Sequence, residues 1–236
     1  MPIFSNLPTG SIPNYPGFNY PLLMRRIQPR DALEFQRIIR DSRKHLEGYI
    51  GWAEHSAKWD FQNINQFVMD HVNAELPREH FVFTLGSKIV ALGSLAPMPD
   101  PMTIQLALFV RAGFTGKGIA KSVTLSLENY AFEVVGYESV YYNCDFSNAA
   151  SAAIPKSMGY HYVDLIEVPK SAKDETGIWM SYKKDRDVNL PPGILQGMPV
   201  EVFTKIVSGE EDTYQPDLSK AEISNPFLQN KDDSKD

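Results

Sequence analysis

One continuous run, residues 102–134, constrains the fold of this chain more than any other part of its sequence. Apolar side chains alternate from Met102 to Val110, which predicts a strand. Beyond a glycine-bearing loop they recur at three- and four-residue steps, which predicts an amphipathic helix that carries Ile119, Val123, Leu127, Tyr130 and Val134. The first amides of a helix lack internal partners, so this turn can bind an anion. On spacing alone, Gly116 and Gly118 fit such a site and an ordinary structural turn about equally well.

A second signal lies downstream of that helix. A strand is predicted over residues 138–143, Asn148-Ala149-Ala150-Ser151 begins another helix, and Gly159-Tyr160 closes it. From Gly116 to Tyr160 the sequence resembles the signature region of the GNAT superfamily of N-acyltransferases, whose glycine loop holds the pyrophosphate of coenzyme A. Among the branches it is most similar to the RimJ/RimL type, whose members acetylate protein N-terminal amines and small amines. The resemblance extends over about residues 22–183.

The predicted elements have the order of an α+β domain. They are a strand (22–27), a helix opening at Pro29, a helix (60–74), three strands (81–85, 89–92 and 102–110), the glycine-turn helix, a strand, the Asn148 helix and two strands (160–168 and 178–183). The resemblance implies a GNAT-like fold class. In that fold a mixed, mostly antiparallel central sheet is flanked by helices and splayed at the strands around the coenzyme A site.

The two ends of the chain differ from its middle. Residues 1–21 carry five prolines, which predict an extended arm, and residues 22–184 form the predicted folded domain. Residues 185–236 hold eleven acidic and five basic side chains, a net charge of −6, and we expect a largely disordered acidic tail. Within the tail, the apolar segment 200–207 is a candidate to dock on the domain or on a partner protein.

Charge and composition exclude several classes of protein. Because the tail accounts for the whole formal charge of −6, the domain is neutral, which argues against nucleic-acid binding. The single cysteine, Cys144, excludes a disulfide framework, and its place at a strand end favours a buried, inert thiol. The histidines lack the short spacing of a metal site, so no metal is expected. We also expect a cytoplasmic protein without membrane contact, since no apolar stretch would span a bilayer and no signal peptide is evident.

The resemblance implies a set of contacts with coenzyme A. Backbone amides of the glycine turn would hold the pyrophosphate, and the end of the preceding strand would present backbone groups to the pantetheine arm. The residues so implied are Phe109, Val110, Thr115, Gly116, Lys117, Gly118, Ile119, Ala120, Asn148 and Ser151. Thr115 stands where the family usually has Arg or Gln. Because threonine cannot bring a cation to a phosphate, we expect Lys117 to compensate.

Ser151 is the candidate general acid. In the RimJ/RimL branch, the serine of the N-x-x-S motif lies near the sulfur and can protonate the departing thiolate. Other branches use a tyrosine about four residues later, and this chain has Pro155 there. Asn148 and Ser151 could instead form only a helix N-cap pair, without a catalytic role.

The position of the general base departs from the family. Gln105 stands where RimJ/RimL relatives often carry glutamate, and an amide cannot accept a proton. An alkyl amine, with a pKa of about 10, must lose a proton before it attacks. We therefore expect a water ordered by Gln105, or a side chain from residues 45–70 such as Glu47 or His55. An α-amino group, with a pKa of about 8, needs less help, which favours a peptide N-terminus over a lysine side chain.

Two hypotheses of function follow. The first is an acetyl-CoA-dependent N-acetyltransferase in which a primary amine, from a protein N-terminus or a small molecule, attacks the thioester directly; Tyr49 and Trp52 would line the acceptor pocket. The second is a catalytically weak or inactive GNAT-fold module that binds coenzyme A and acts through its tail, as Gln105 and Thr115 would favour. A homodimer and a protein partner on the tail are compatible with both.

Overall fold

The computed structural model describes residues 22–74 and 78–187. The predicted arm (1–21), the tail from residue 188 onward and its apolar segment 200–207 lie outside the described residues. The strands are β1 (Leu22–Arg26), β2 (Glu79–Leu85), β3 (Lys88–Pro97), β4 (Thr103–Val110), β5 (Ser139–Asp145), β6 (His161–Glu167) and β7 (Ile178–Asp185). The α-helices are α1 (Ala32–Leu46), α2 (Gly51–His55), α3 (Phe61–Val72), α4 (Ile119–Asn129) and α5 (Ala149–Ser157), with 3-10 turns at Pro29–Asp31 and Ser56–Lys58.

All seven described strands belong to one sheet, in the order β1-β2-β3-β4-β5-β7-β6. Among the described strands, β4 and β5 are the one parallel pair, and every other neighbouring pair is antiparallel. This arrangement confirms the predicted fold class, a mixed and mostly antiparallel sheet flanked by helices. The parallel pair is possible because α4 carries the chain back along the sheet between β4 and β5.

Local sequence signals account for the ends of two helices. Asp60 is the N-cap of α3, at the first position of the predicted helix (60–74), and its side chain accepts a hydrogen bond of 2.9 Å from the amide of Asn63. Helix α4 is shorter than predicted, because residues 130–135 continue as a π-helical turn. That turn buries the adjacent residues Tyr130, Ala131 and Phe132, which the 3.6-residue period of an α-helix would not place on one side.

Two hydrophobic clusters pack on opposite faces of the sheet. Because side chains alternate along β2, Phe81 and Phe83 join the cluster under α4 and α5, while Val82 joins the cluster under α1, α2 and α3. On the first face, Gly93 of β3 lets α4 approach closely. A Cβ at Gly93 would lie 2.7 Å from the Cδ1 atom of Leu127, so a larger residue would push the helix away from the sheet.

The sheet opens between its two parallel strands. Residues 103–106 of β4 pair with residues 139–142 of β5, but β4 runs on to Val110 and β5 to Asp145 without further pairing between them. Both strands therefore diverge toward their carboxyl ends, where α4 and α5 begin. Unpaired backbone groups at such a divergence are available to a ligand. Within the ranges described, no helix has the length and apolar character needed to cross a membrane.

Candidate active site

A cavity of about 860 Å³ occupies the divergence of β4 and β5. Its walls are the carboxyl halves of these strands, the glycine turn with the start of α4, and the start of α5. At its other end, the cavity is bordered by the end of α1 and by the loop between β6 and β7. One continuous cavity therefore extends from the glycine turn to the loop between β6 and β7.

The glycine turn depends on left-handed backbone conformations. Gly113, Gly116 and Gly118 have φ values of 84°, 72° and 77°, and Gly118 is the N-cap of α4. A Cβ at Gly116 would meet nothing within 4 Å, so its conformation, not crowding, calls for glycine there. Of the predicted contacts around this turn, Thr115, Gly116, Gly118, Ile119 and Ala120 line the cavity, and so does Lys121.

Lys117 is the one predicted residue of the turn that does not line the cavity. Its Nζ donates a hydrogen bond of 2.9 Å to the carbonyl of Gly113 and lies 5.5 Å from the centre of the Phe114 ring. In this position Lys117 stabilises the loop that precedes α4 through contacts with the loop's own residues. Lys121, one turn into α4, is the lysine placed on the cavity wall.

Arg111 fixes the glycine turn to helix α1. Its buried guanidinium donates to Glu34 at 2.7 Å, to Asp41 and to the carbonyl of Ile89 at 3.3 Å. The hydrogen bond from Arg111 lowers the pKa of Asp41, so that carboxylate stays charged and paired. Next to it, the amide of Ala112 donates to the hydroxyl of Ser42 at 3.0 Å. These hydrogen bonds therefore fix the start of the glycine turn, at residues 111 and 112, to helix α1.

A hydroxyl pair lies at the start of α5. Asn148 caps the helix, and its Oδ1 accepts a hydrogen bond of 3.0 Å from the amide of Ser151. The hydroxyl of Ser151 lies 3.0 Å from that of Tyr142, a residue of β5. Burial raises the pKa of Tyr142, so its phenol keeps its proton at neutral pH. All three residues line the cavity, and the sequence had pointed to Asn148 and Ser151 but not to Tyr142.

Cys144 lies on the same wall and is buried, as predicted. Burial raises the pKa of its thiol to about 11, although a hydrogen bond with Ser151 acts in the opposite direction. The thiol is therefore protonated at neutral pH and is a poor nucleophile.

The floor of the cavity is formed by β4. Gln105, Phe109 and Val110 all line it, as predicted for the strand that precedes the glycine turn. The Oε1 atom of Gln105 accepts a hydrogen bond of 3.1 Å from Nδ2 of Asn143 on β5. This amide pair lies beside the point where the two strands part.

The end of the cavity beside the loop between β6 and β7 holds Tyr49 and two carboxylates that the sequence did not single out. Glu175, in the loop between β6 and β7, is buried and accepts hydrogen bonds from the amide of Ser171 at 2.6 Å, its hydroxyl at 3.0 Å and the amide of Ala172 at 2.9 Å. All three bonds go to Oε2, and no hydrogen bond to Oε1 is found among the described residues.

Asp145 is the other carboxylate of this wall. Burial alone would raise its pKa, but hydrogen bonds from Ser147 and Thr176 outweigh burial and lower it. Both of its oxygens are engaged: Oδ1 by the amide and hydroxyl of Ser147 at 2.9 and 2.7 Å, and Oδ2 by the amide of Thr176 at 2.8 Å. Asp145 therefore holds the loop between β6 and β7 in place, and Glu175 is the carboxylate with an uncommitted oxygen.

Glu47 lies outside this cavity. It pairs with Arg43 at 2.8 Å and with Lys173 at 2.6 Å, and the hydrogen bond from Lys173 lowers its pKa. It lines a separate surface groove together with His55. A carboxylate with a lowered pKa and two cationic partners is a weak proton acceptor, so the structure does not support the expectation of a base at Glu47.

Trp52 also lies away from the cavity. It is 5% exposed and packs against Trp59 and Phe109, with ring centroids 6.1 and 5.6 Å away. The aromatic residue therefore supports Phe109 from behind the cavity floor, where the sequence had suggested a direct contact with the acceptor. Within residues 22–74 and 78–187, the structure contains no group of three or more His, Cys, Asp or Glu side chains able to hold a metal ion.

Comparison with known proteins gives one family match and several similar folds. The family model described as the acetyltransferase (GNAT) domain matches residues 21–161. A RimL ribosomal L7/L12 alpha-N-protein acetyltransferase in complex with coenzyme A has a TM-score of 0.65 at 12% identity, over 74% of this chain and 99% of its own. Mycobacterium smegmatis RimJ in complex with CoA-disulfide has a TM-score of 0.61 at 16% identity, over 70% and 82%.

A third similar structure is the microcin C7 self-immunity acetyltransferase MccE in complex with acetyl-CoA and AMP. It has a TM-score of 0.61 at 15% identity, over 71% of this chain and 93% of its own. No curated protein matches this sequence.

Proposed function

This chain belongs to the GNAT acetyltransferase family, and from that premise we propose that it moves an acetyl group from acetyl-CoA to a primary amine by direct attack on the thioester. The observation that carries the proposal is the continuous cavity, which runs from a positive helix N-terminus to a buried hydroxyl pair and on to a carboxylate. An acyl transfer needs these three features in this order along one channel. The similar RimL, RimJ and MccE structures that contain coenzyme A or acetyl-CoA support the choice of donor.

Acetyl-CoA supplies an activated acyl carbon and a good leaving group, and the residues present fit it. Gly116 and Gly118, both with positive φ, leave the backbone of the turn without side chains that would block a ligand. The first amides of α4 have no partner within the helix and would donate hydrogen bonds to the pyrophosphate. Lys121 brings the cation that Thr115 lacks. The carboxyl half of β4, with Phe109 and Val110, pairs with β3 but not with β5, and on that open side it would receive the pantetheine arm as a partial extra strand.

Ser151 and Tyr142 would supply the proton that the departing thiolate requires. A serine hydroxyl that gives up its proton must receive another at once, and the phenol of Tyr142 lies 3.0 Å away to provide it; because burial disfavours a phenolate, Tyr142 would regain its own proton from solvent water in the cavity as the thiol leaves. Because burial keeps that phenol protonated, the pair starts each turnover in the acid form. Coenzyme A would thus leave as a neutral thiol, and no unprotonated thiolate would remain next to the apolar side chains of the cavity.

Glu175 is the residue best placed to take the proton from the amine. Gln105 cannot do so, and Asp145 has both oxygens committed to hydrogen bonds. Glu175 faces the same cavity at its acceptor end, held through Oε2 in one orientation. Preorganisation of this kind is what a general base requires, because its proton-accepting oxygen must reach the amine, directly or through one water.

We propose the α-amine of a protein chain as the acceptor. Its pKa of about 8 lies well below the value of about 10.4 for a lysine side chain, so a single partly satisfied carboxylate can deprotonate it. The RimL neighbour carries the name of a ribosomal protein α-N-acetyltransferase, which agrees with this choice. Tyr49 and Trp179, near Glu175, would border the first residues of the peptide.

A second candidate function is a coenzyme A-binding module with little or no turnover. Two observations favour it: Gln105 replaces the strand carboxylate of the branch, and it is already bonded to Asn143. Such a module would bind the donor through the same turn but would not consume it. Measurements of binding and turnover on one preparation separate the two functions.

Thermal shift and calorimetry with coenzyme A and acetyl-CoA provide that test, on the wild type and on Gly118→Trp. A ligand that binds only the folded state stabilises it by about 2.7 kcal/mol at a hundredfold its Kd. We expect this shift in the wild type and its loss in the variant. Gly136→Trp is the matched control, since Gly136 also has a positive φ of 93° but lies outside the cavity. No shift in a folded wild type would overturn both candidate functions.

Turnover of acetyl-CoA with peptides that bear a free N-terminus then separates the first candidate from the second. Thiol release should require the free amine, and an N-acetylated peptide of the same sequence is the control. Binding of acetyl-CoA without thiol release, across a panel of peptide and small amines, would leave the binding module as the function.

A further inference from the structure

Strand β6 forms one edge of the described sheet, and all seven of its residues are exposed. Tyr162 is 53% and Leu165 47% exposed, and the apolar surface also includes Val163, Ile166 and Ile178. An edge strand carries a row of backbone groups that can pair with a further strand. A contiguous apolar patch on such an edge marks an interaction site.

Both faces of this edge are apolar, which limits what can cover it. Tyr162 is opposite Tyr182 and Leu165 opposite Met180, on the side of the α4 and α5 cluster. Ile166 is opposite Trp179 and therefore lies on the other side of the sheet. A helix laid on one face would leave the other exposed, whereas an added strand would cover side chains on both faces.

We propose that the apolar segment 200–207 of this chain adds to the sheet as a strand beside β6. Its sequence, Val-Glu-Val-Phe-Thr-Lys-Ile-Val, places apolar side chains on both faces of a strand. Val200, Val202 and Ile206 would lie on one face, and Phe203 and Val207 on the other. The residues of the segment are also those that strands favour, β-branched and aromatic.

The chain leaves the sheet at a suitable place for this pairing. Strand β7 ends at Asp185, next to the beginning of β6, since His161 pairs with Lys183. Residues 188–199, fully extended, can span roughly 40 Å. The seven residues of β6 extend over roughly 23 Å. The segment can therefore reach the whole length of β6 from where the described chain ends.

Charge favours this segment over a second copy of β6. Asp164 stands at the middle of the strand, so two copies paired antiparallel about their centres would bring two Asp164 side chains opposite each other. Like charges directly opposite in a sheet are destabilising. The segment 200–207 instead carries one lysine, Lys205, and one glutamate, Glu201, so a register that brings Lys205 opposite Asp164 replaces this repulsion with an attraction.

Hydrogen exchange on the full chain tests the pairing. In the wild type, we expect the backbone amides of β6 that point away from β7 to be protected. The variant Val202→Asp/Ile206→Asp should raise their exchange rate at least tenfold, because two carboxylates cannot be buried against Tyr162 and Leu165. The matched control, Ile223→Asp/Leu228→Asp, adds the same charge to the tail outside the segment and should leave exchange in β6 unchanged.

Three outcomes would overturn the proposal. Rapid exchange of those β6 amides in the wild type would show an uncovered edge. Protection that survives in Val202→Asp/Ile206→Asp would show that the segment does not cover it. Protection that grows with protein concentration, while light scattering reports a dimer, would assign the edge to a second copy. A disulfide formed within one chain between Asp164→Cys and Lys205→Cys, and not between Asp164→Cys and Lys220→Cys, would support the pairing independently.

Discussion

At the scale of single residues, Ser151 and Tyr142 should act as one unit, because their hydroxyl oxygens are 3.0 Å apart. We expect Ser151→Ala to lower kcat by about 10²-fold and Tyr142→Phe by about tenfold, since acid catalysis contributes on this order. In the double variant, Tyr142→Phe should cost nothing further, because its proton no longer has a route to the sulfur. Steady-state rates of thiol release for the four proteins measure this coupling.

Ser157→Ala is the matched control for the hydroxyl pair. Ser157 also lines the cavity from α5, but its hydroxyl donates to the carbonyl of Ile154 at 2.9 Å. Its removal should leave kcat within about twofold. Additive losses in the Ser151 and Tyr142 double variant would contradict a shared proton route and would assign them separate roles.

Glu175→Gln tests the proposed base at the same scale. Glutamine keeps an oxygen for the hydrogen bonds from Ser171 and Ala172, but it cannot take a proton from the amine. We expect kcat/KM for the amine to fall about 10²-fold, while the Kd for coenzyme A is unchanged. Rates with a peptide acceptor and calorimetry with coenzyme A give the two numbers.

Glu47→Gln is the control for that prediction. Glu47 lies in the neighbouring groove, paired with Lys173 and Arg43, so its neutralisation should leave kcat/KM within about twofold. If Glu47→Gln were the slower enzyme, the base would be Glu47, just after the end of α1, and the assignment to Glu175 would fail.

The sequence reveals some of these residues and hides others for physical reasons. Ser151 stands in a capping motif whose spacing is fixed by the first turn of a helix, so it is visible without a structure. Tyr142 belongs to an apolar strand, where alternation shows a buried face but not a bond to Ser151. Glu175 lies in an irregular loop, and only tertiary contacts bring it to the cavity. Trp52 is an aromatic residue of the kind that often binds ligands, but in the structure it packs against Phe109 and does not line the cavity.

At the scale of elements, the glycine turn is held by the contact between Arg111 and helix α1. We expect Arg111→Met to cost about 1–3 kcal/mol of unfolding free energy, because Glu34 and Asp41 lose their shared, buried cation and keep only the more exposed Arg37 and Arg40 as partners. Because the loop then loses its anchor, the affinity for coenzyme A should also fall about tenfold. Urea unfolding and calorimetry measure the two effects.

Arg40→Met is the control for the Arg111 prediction. Arg40 pairs with the same Asp41 at 3.1 Å, but its side chain is 73% exposed, so its loss should cost under about 1 kcal/mol. Equal effects of the two variants would show that the ion pair with Arg111 does not hold the turn.

The positions of the helices and strands were more predictable from the sequence than the irregular features between them. The hairpin of β2 and β3, the N-cap of α3 and the start of α4 follow from turn residues and periodicity within a few positions. The π-helical turn at 130–135 and the opening between β4 and β5 have no local signature. Both arise from packing of helices on the sheet, a contact between residues far apart in the chain.

At the scale of the whole molecule, the order of strands and helices predicts an α+β domain, and the more specific GNAT-like sheet was implied by the resemblance of residues 116–160 to that family. The sheet order was not available from the pattern. Strand β7 lies between β5 and β6, so its neighbours depend on pairings that periodicity does not encode. The cavity likewise belongs to the assembled sheet, since its walls come from four separated parts of the chain.

Two neighbouring histidines, the buried His80 and the half-buried His71, make the stability of the whole domain depend on pH. His71 and His80 lie with ring centroids 4.3 Å apart. Burial, together with the charge of its neighbours His71 and Arg78, lowers the pKa of His80 to about 2, and burial lowers that of His71. In the unfolded chain both would titrate with a pKa of about 6.5. Each therefore contributes stability above pH 6.5 that is lost as the pH falls toward its lower folded value.

The difference between wild type and His71→Gln/His80→Gln isolates this contribution, because Glu79, Arg78 and all other groups titrate in both proteins. Between pH 7 and pH 5, protonation of His80 in the unfolded chain lowers the unfolding free energy of the wild type by about 2 kcal/mol, because the folded state, in which the pKa of His80 is about 2, takes up no proton in this range. The unfolding free energy of the wild type should thus fall by at least about 2 kcal/mol more than that of the variant, measured by urea unfolding at both pH values, and the lowered pKa of His71 adds to the difference in the same direction. His55→Gln, at an exposed histidine, should fall in parallel with the wild type. Parallel curves for the double variant would mean that the pair takes up protons in the folded state at pH 5, and that burial does not keep the two imidazoles neutral.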